Sequence, residues 1–163
     1  MPNYAVNEII VKGSKEKIKE IFERIEGDNF LNTLFPRPES ENDNWYDWNC
    51  DNWGTKWDAC DTHLEYTENE DGTAKIEGGF LTAWDAPIDC YLNYLINNDD
   101  VSIESAGIDV CMDYMVYFID GQTYRLNVSS YPELKDKYPK FIVDKFDDYL
   151  GEWFQELDNE EEE

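Results

Sequence analysis

The chain has 163 residues, of which 41% are hydrophobic and 15% aromatic, and its 38 acidic against 13 basic residues give a net charge of −25. Disordered acidic chains are poor in aromatic residues, so this composition predicts a folded domain. Solubility requires a net charge of only about 2–8 in a small domain, and a larger charge costs stability through self-repulsion. The excess therefore favours a positively charged partner and disfavours direct binding of nucleic acid.

No apolar stretch approaches the ~20 residues of a membrane helix, and the first residues show no signal-peptide pattern. The four cysteines match no disulfide-dense scaffold. We therefore predict a cytoplasmic protein with free thiols and no membrane contact.

The first part of the chain has a β-α pattern. Residues 7–13 predict a strand, and Ser14 then caps a helix whose apolar residues recur at helical spacing until Gly27. Residues 39–57 combine acids, asparagines and aromatics without a pattern that assigns local structure, and we interpret them as an insertion.

Two further strands follow at residues 62–67 and 75–84. They are joined at Asp71-Gly72, a dipeptide typical of tight hairpins. Pro87 then opens a helix with one apolar face, which ends before Asp100.

The last third of the chain predicts more strands and a long helix. A strand begins at Val101, with a bulge expected at Ala106-Gly107. Residues 110–119 are strand-like, and residues 123–128 form their return after a second hairpin turn at Asp120-Gly121.

The C-terminal helix is predicted over residues 132–158, with a break or kink at Pro139 near its start. Residues 159–163 predict a disordered acidic tail. Residues 1–158 then form one α+β domain. Its core is a ferredoxin-like β-α-β-β-α-β arrangement, a mostly antiparallel sheet with helices on one face, to which a C-terminal strand and helix are added.

Two tryptophan-bearing stretches resemble the signatures of the YubB-type ferredoxin-like domain family of phages and plasmids. They are Asn52-Trp53-Gly54-Thr55-Lys56-Trp57-Asp58-Ala59 and Phe80-Leu81-Thr82-Ala83-Trp84-Asp85-Ala86-Pro87. The resemblance covers roughly residues 5–130. It implies a ferredoxin-like fold and an accessory role in a phage or plasmid, and it brings no catalytic residues.

The residues offer few sets of groups for catalysis or metal binding. His63 lies near Cys60, but a structural zinc site needs four ligands and a second close pair is missing. Asp43, Asp47 and Asp51 recur every four residues among asparagines, which leaves a weak calcium or magnesium site open although the EF-hand pattern is absent. In a chain with 38 acids, a pair of carboxylates says nothing about glycosidase chemistry. We predict a protein that is not an enzyme and holds no cofactor or metal.

The acids are concentrated in the middle of the chain. Residues 39–113 contain nineteen acids and two bases, Lys56 and Lys75. Alternate residues on one face of a strand lie about 6.6–6.8 Å apart, close to two phosphate steps of about 3.4 Å along one DNA strand. Glu65 and Glu77 on the central hairpin therefore predict a row of phosphate-like charges.

We predict an inhibitor that mimics nucleic acid and blocks the basic DNA- or RNA-binding surface of a host protein, such as a defence protein. The alternative is a binding module that docks through its Trp- and Tyr-rich segment, with charge serving only to steer association. A third interpretation is adaptation to high salt. For the aromatics of residues 39–57 themselves, we favour a small core of their own, packed over the sheet edge, over a role as interface anchors. The predicted partner-binding residues are Asp43, Asp47, Asp51, Asp58, Asp61, Glu65, Glu68, Glu70, Asp71, Glu77, Trp45, Trp48 and Trp53.

Overall fold

The computed structural model describes residues 3–161. The strands are β1 (Tyr4–Ser14), β2 (Cys60–Glu68), β3 (Thr73–Ala83), β4 (Ser102–Asp109), β5 (Tyr114–Ile119) and β6 (Gln122–Leu126). The α-helices are α1 (Lys15–Glu23), α2 (Phe30–Leu34), α3 (Trp45–Trp53), α4 (Ile88–Ile96), α5 (Tyr131–Leu134) and α6 (Lys140–Glu161). Short 3-10 helices lie at Glu39–Asn44, Val110–Met112, Val128–Ser130 and Lys135–Lys137. No helix among these is both long and apolar enough to cross a membrane.

The six strands form one antiparallel sheet in the order β2-β3-β1-β4-β5-β6. This confirms the predicted α+β class and antiparallel sheet. The order β2-β3-β1-β4 of the first four strands is compatible with a ferredoxin-like core. The predicted hairpin turns connect β2 to β3 and β5 to β6, and Gly72 and Gly121 have the positive φ angles, 85° and 89°, that favour glycine.

One face of the sheet packs against α1, α2, α3 and α4. Ile9 and Val11 of β1 contribute to this core together with Ile18 of α1 and Tyr91 of α4, all fully buried. The intervening residues of β1 point to the other face because side chains alternate along a strand. Ser14 caps helix α1 as predicted, since its hydroxyl accepts a hydrogen bond from the N–H of Lys17.

The other face of the sheet packs against α6. Ile108 of β4 and Met115 of β5 meet Phe146 and Leu150 of the helix in a second core. The apolar spacing of α6 predicts that it has a buried side, but nothing in the sequence says which face of the sheet it covers.

The region between β4 and β5 differs from the prediction. Ala106 and Gly107 pair regularly with both neighbouring strands, so the bulge expected there is wrong; the irregular pairing lies between Cys60 and His63 of β2. The strand expected over residues 110–119 begins only at Tyr114, because residues 110–112 form a 3-10 helix in which two N–H groups donate to the Asp109 carboxylate. The C-terminal addition to the sheet therefore comprises two strands, β5 and β6.

The predicted C-terminal helix is divided near Pro139. Residues 131–137 form α5 and a 3-10 helix, Tyr138 is extended, and α6 begins at Lys140. A proline lacks the N–H group and restricts the preceding residue to extended conformations, which explains the break. Helix α6 continues to Glu161, so residues 159–161 are helical rather than disordered, and the last two residues of the predicted tail lie outside the described residues.

Candidate functional site

Residues 39–57, which no sequence pattern assigns, fold as a 3-10 helix followed by α3. The segment is attached to the domain by buried groups. The Trp53 indole N–H donates to the carbonyl of Phe35 at 2.8 Å, and the Asn49 amide donates to the carbonyl of Lys56 at 2.8 Å. Helix α3 ends at Gly54, which has a φ of 80°.

The three tryptophans predicted as partner anchors have different environments. Trp53 is 2% exposed and belongs to the main core, so no partner reaches it without rearrangement. Trp48 is half-buried and stacks on Phe35 at 6.0 Å between ring centroids. Only Trp45, which is 40% exposed, presents its ring to solvent, and Tyr46 beside it is exposed to the same extent. Of the predicted anchors, Trp45 alone is available for docking.

The three aspartates of this segment are exposed. Asp43 lies in the 3-10 helix, and Asp47 and Asp51 lie one turn apart on α3. Within residues 3–161 none of the three forms a salt bridge. Asp51 and Asp47 also contribute, after burial, to a raised pKa of the Cys50 thiol on the same helix. The segment therefore presents exposed negative charge.

Two rings and one lysine of this segment form an aromatic cage together with Trp84. It consists of the rings of Tyr46, Trp57 and Trp84, which surround the ammonium group of Lys56. The Lys56 Nζ atom lies 5.7 Å from the centroid of Tyr46, 5.0 Å from that of Trp57 and 5.4 Å from that of Trp84. All three distances are within the range of cation–π attraction.

The cage forms where the two tryptophan-bearing stretches meet. The Thr55 hydroxyl donates to the carbonyl of Ala83 at 2.9 Å, which fixes the loop after α3 to the end of β3. The next residue in each stretch, Lys56 and Trp84, then contributes to the cage. We call Asp43, Asp47, Asp51, Trp45 and the aromatic cage, taken together, the acidic aromatic surface.

Trp84 has a left-handed backbone, with a φ of 71°. This conformation is a genuine outlier for a bulky residue and costs energy. Its N–H donates to the carbonyl of Asn3 at 2.8 Å, which holds the turn, and its ring is 44% exposed. The fold therefore keeps a large indole at the surface in a strained position.

The hairpin acids do not form the predicted free row of charges. Glu65 and Glu77 are cross-strand neighbours on one face of β2 and β3, but Glu77 is paired with two lysines. Its carboxylate lies 2.7 Å from the Lys145 Nζ atom and 3.2 Å from that of Lys75. These contacts, above all the hydrogen bond from Lys145, lower the pKa of Glu77. Lys145 lies on α6, which the sequence does not place beside the hairpin.

The acids near the hairpin turn have local partners. Glu68 forms a salt bridge with Lys15 at 3.1 Å, which lowers the pKa of its carboxyl. Asp71 accepts hydrogen bonds from the N–H and hydroxyl groups of Thr73 in the turn itself. Glu70 is exposed.

Asp58 and Asp61 lie before and at the start of β2. The Asp58 carboxylate accepts hydrogen bonds from the N–H groups of Leu31, Asn32 and Ala59 and so caps the start of α2. Burial raises the pKa of Asp58 to about 6, although these donors oppose the rise. The Asp58 carboxylate therefore stabilises the fold of its own chain rather than facing a partner. Asp61 is exposed and lies 3.3 Å from the His63 imidazole.

Groups suited to catalysis or metal binding are scattered. In the part of the chain that the structure describes, no three His, Cys, Asp or Glu side chains are grouped so as to hold a metal ion. All four cysteines are free thiols, and burial raises the pKa of Cys50, Cys60 and Cys90, which disfavours the reactive thiolate.

The sequence prediction missed Tyr46, Lys56, Trp57 and Trp84 as members of one site. The available signal was the position of Lys56, one of two bases in residues 39–113, between Trp53 and Trp57. The acidic aromatic surface is suited to non-covalent recognition of cations by carboxylates and aromatic rings. Comparisons with protein-family models, with curated proteins and with solved structures find no match to this chain.

Proposed function

We propose that this protein is a non-enzymatic binding module that docks its acidic aromatic surface on a basic surface of a partner protein. The observation that carries this proposal is the combination, on one segment, of the exposed rings of Trp45 and Tyr46 with three exposed aspartates that form no salt bridge within residues 3–161. Elsewhere, prominent acids such as Glu68 and Glu77 are already paired with lysines of the same chain.

Charge and aromatic area have separate roles in this proposal. Exposed acids speed the encounter with a basic surface, mainly through the association rate, and their effect weakens with salt. Tryptophan and tyrosine are enriched among the few residues that dominate the binding energy of an interface, where their large rings are desolvated on contact. A preorganised helix also avoids part of the ordering cost that a disordered acidic segment incurs on binding.

Mimicry of nucleic acid is the second candidate, and the placement of Asp47 and Asp51 favours it. Four residues of α-helix advance about 6 Å, close to two phosphate steps of about 3.4 Å each. In this form of the proposal, the partner is a DNA- or RNA-binding host protein in the cytoplasm, and the phosphate-like charges lie on α3 rather than on the hairpin.

We further infer that β1-α1-β2-β3-α4-β4 is a ferredoxin-like core, to which β5, β6 and α6 are added. The strand order and the positions of α1 and α4 on one face support this inference. Together with the resemblance of the two tryptophan-bearing stretches, it supports an origin in a phage or plasmid and a role as an inhibitor of a bacterial host protein.

Affinity capture from bacterial lysate tests the proposal with matched variants. The first variant is Asp43→Asn/Asp47→Asn/Asp51→Asn on the acidic aromatic surface. The control is Asp61→Asn/Glu65→Gln/Glu70→Gln, which removes the same number of negative charges, three, from exposed positions of the hairpin. We expect the wild type and the control to retain the same basic protein through a salt-wash series that releases it from the first variant.

A competition experiment with the captured protein separates the two candidates. Under the mimicry candidate, excess wild-type protein displaces labelled DNA or RNA from its partner at low salt. Retention of nucleic acid by a partner that still binds this protein would exclude mimicry but leave the docking proposal intact. Equal loss of capture by the two triple variants would contradict the proposed surface.

A further inference from the structure

We propose that the aromatic cage is a receptor for an arginine side chain of the partner, and that Lys56 occupies it only in the free protein. This inference rests on the proposed function and deepens it, because it names the group of the partner that the surface binds. The observation behind it is the arrangement of three rings around one lysine ammonium at 5.0–5.7 Å.

The backbone of Lys56 is fixed, whereas its side chain has weak attachments. The Asn49 amide holds the carbonyl of Lys56, and the Thr55 hydroxyl holds the preceding residue to Ala83. In the described residues the Lys56 ammonium forms no salt bridge. Cation–π attraction at exposed rings is modest, so the flexible lysine side chain can leave the cage while its backbone stays in place.

An arginine is the occupant that the cage favours. Its planar guanidinium stacks on aromatic faces and is more weakly hydrated than an ammonium, so it gives up less water on entering. The surroundings also include a carboxylate, since that of Asp89 lies against Gly54 in the loop before Lys56, whereas the Asp85 carboxylate is bound by the Tyr114 hydroxyl and the Ala86 N–H. Burial, followed by the neighbouring Asp85, raises the pKa of Asp89, and Arg125 opposes the rise.

The strained backbone of Trp84 is consistent with a role in binding. A bulky residue at a φ of 71° is disfavoured, and such positions cluster at ligand-binding sites. Trp84 and Tyr46 are both more than 40% exposed, although each contacts the Lys56 side chain, so an incoming side chain reaches the rings from solvent.

A peptide titration followed by NMR of the tryptophan indole N–H signals tests this site without a known partner. The probe is acetyl-Gly-Arg-Gly-amide at constant ionic strength, and its control is the same peptide with citrulline, which has the shape of arginine but no charge. The protein variants are Lys56→Ala, which empties the cage, and Lys12→Ala, which removes an exposed lysine of β1 with the same change in net charge.

We expect the arginine peptide to shift the Trp57 and Trp84 signals of Lys56→Ala in a saturable manner, with a dissociation constant on the order of 10 mM. Wild type and Lys12→Ala should bind the peptide roughly fivefold more weakly than Lys56→Ala, because Lys56 competes for the cage. Adding Trp84→Ala to Lys56→Ala should abolish the response of Trp57. The unchanged signal of buried Trp53 reports that each variant is folded.

Three results would overturn the inference: no saturable shift in folded Lys56→Ala, equal shifts with the citrulline peptide, or retained binding after Trp84→Ala. These results are independent of the lysate experiment. If capture fails but the cage binds the arginine peptide, the proposed function is wrong and the site stands. If capture succeeds and the peptide does not bind, the cage is excluded as an arginine receptor and the proposed function is unaffected.

Discussion

The left-handed backbone of Trp84 places an aromatic ring in the cage. Its left-handed φ of 71° costs a residue with a Cβ atom about 1–2 kcal/mol, whereas glycine adopts it freely. Trp84→Gly and Trp84→Ala both remove the ring, but only alanine keeps a Cβ atom. The difference in stability between the two variants therefore reports the backbone strain. We expect Trp84→Gly to be the more stable by about 1 kcal/mol in urea unfolding, after allowing for the greater flexibility of glycine in the unfolded chain. An alanine variant as stable as the glycine variant would contradict this account.

Asp58 gives a pH dependence whose sign follows from its surroundings. Burial raises its pKa to about 6 in the folded protein, against about 3.9 in an unfolded chain. Between these values the folded state binds more protons, so the free energy of unfolding rises as the pH falls. From pH 7 to pH 4.5 we expect the wild type to gain about 2 kcal/mol more than Asp58→Asn in urea unfolding. Equal gains in the two proteins would refute the raised pKa.

The exposed C-terminal end of α6 should contribute little to stability. Leu150 is the last fully buried residue of the helix, Trp153 and Phe154 are half-buried, and the residues from 155 to 161 are exposed. Acidic groups at a helix C-terminus also oppose the helix dipole. Deleting residues 158–163 should therefore change the free energy of unfolding by less than about 0.5 kcal/mol.

A longer deletion is the control for this prediction. Removal of residues 153–163 also takes away Trp153 and Phe154, which pack against the second core, and should cost more than about 2 kcal/mol. If both deletions destabilise the protein equally in urea unfolding, the exposed acidic end of α6 contributes to stability, and the prediction is wrong.

The elements that local rules govern were predictable from the sequence. Ser14 caps α1, Gly72 and Gly121 make the hairpin turns, and Pro139 limits α6, because each depends on its own backbone chemistry. The candidate site depends instead on contacts between distant residues. The pairing of Glu77 with Lys145 requires knowing which face α6 covers, and the cage requires the contact between Lys56 and Trp84.

The whole molecule carries a net charge of −25, and its stability should respond to salt accordingly. The Debye length is about 30 Å at 0.01 M salt and about 8 Å at 0.15 M, so added salt screens the repulsion between acids. We expect the free energy of unfolding to rise with salt over this range while the protein stays folded in dilute buffer. Circular dichroism reports whether the protein is folded in dilute buffer, and urea unfolding measures the free energy of unfolding at each salt concentration. Unfolding in dilute buffer would favour adaptation to high salt as the reason for the acidity.

The NMR footprint of the captured partner on this protein locates the docking site. If the acidic aromatic surface is the docking site, the indole signals of Trp45, Trp57 and Trp84 and the amide signals of residues 43–57 change on binding. The indole signal of Trp53, which is buried and donates to Phe35, should stay in place. Changes confined to the β2–β3 hairpin or to α6, with the signals of residues 43–57 unaffected, would exclude the acidic aromatic surface as the docking site.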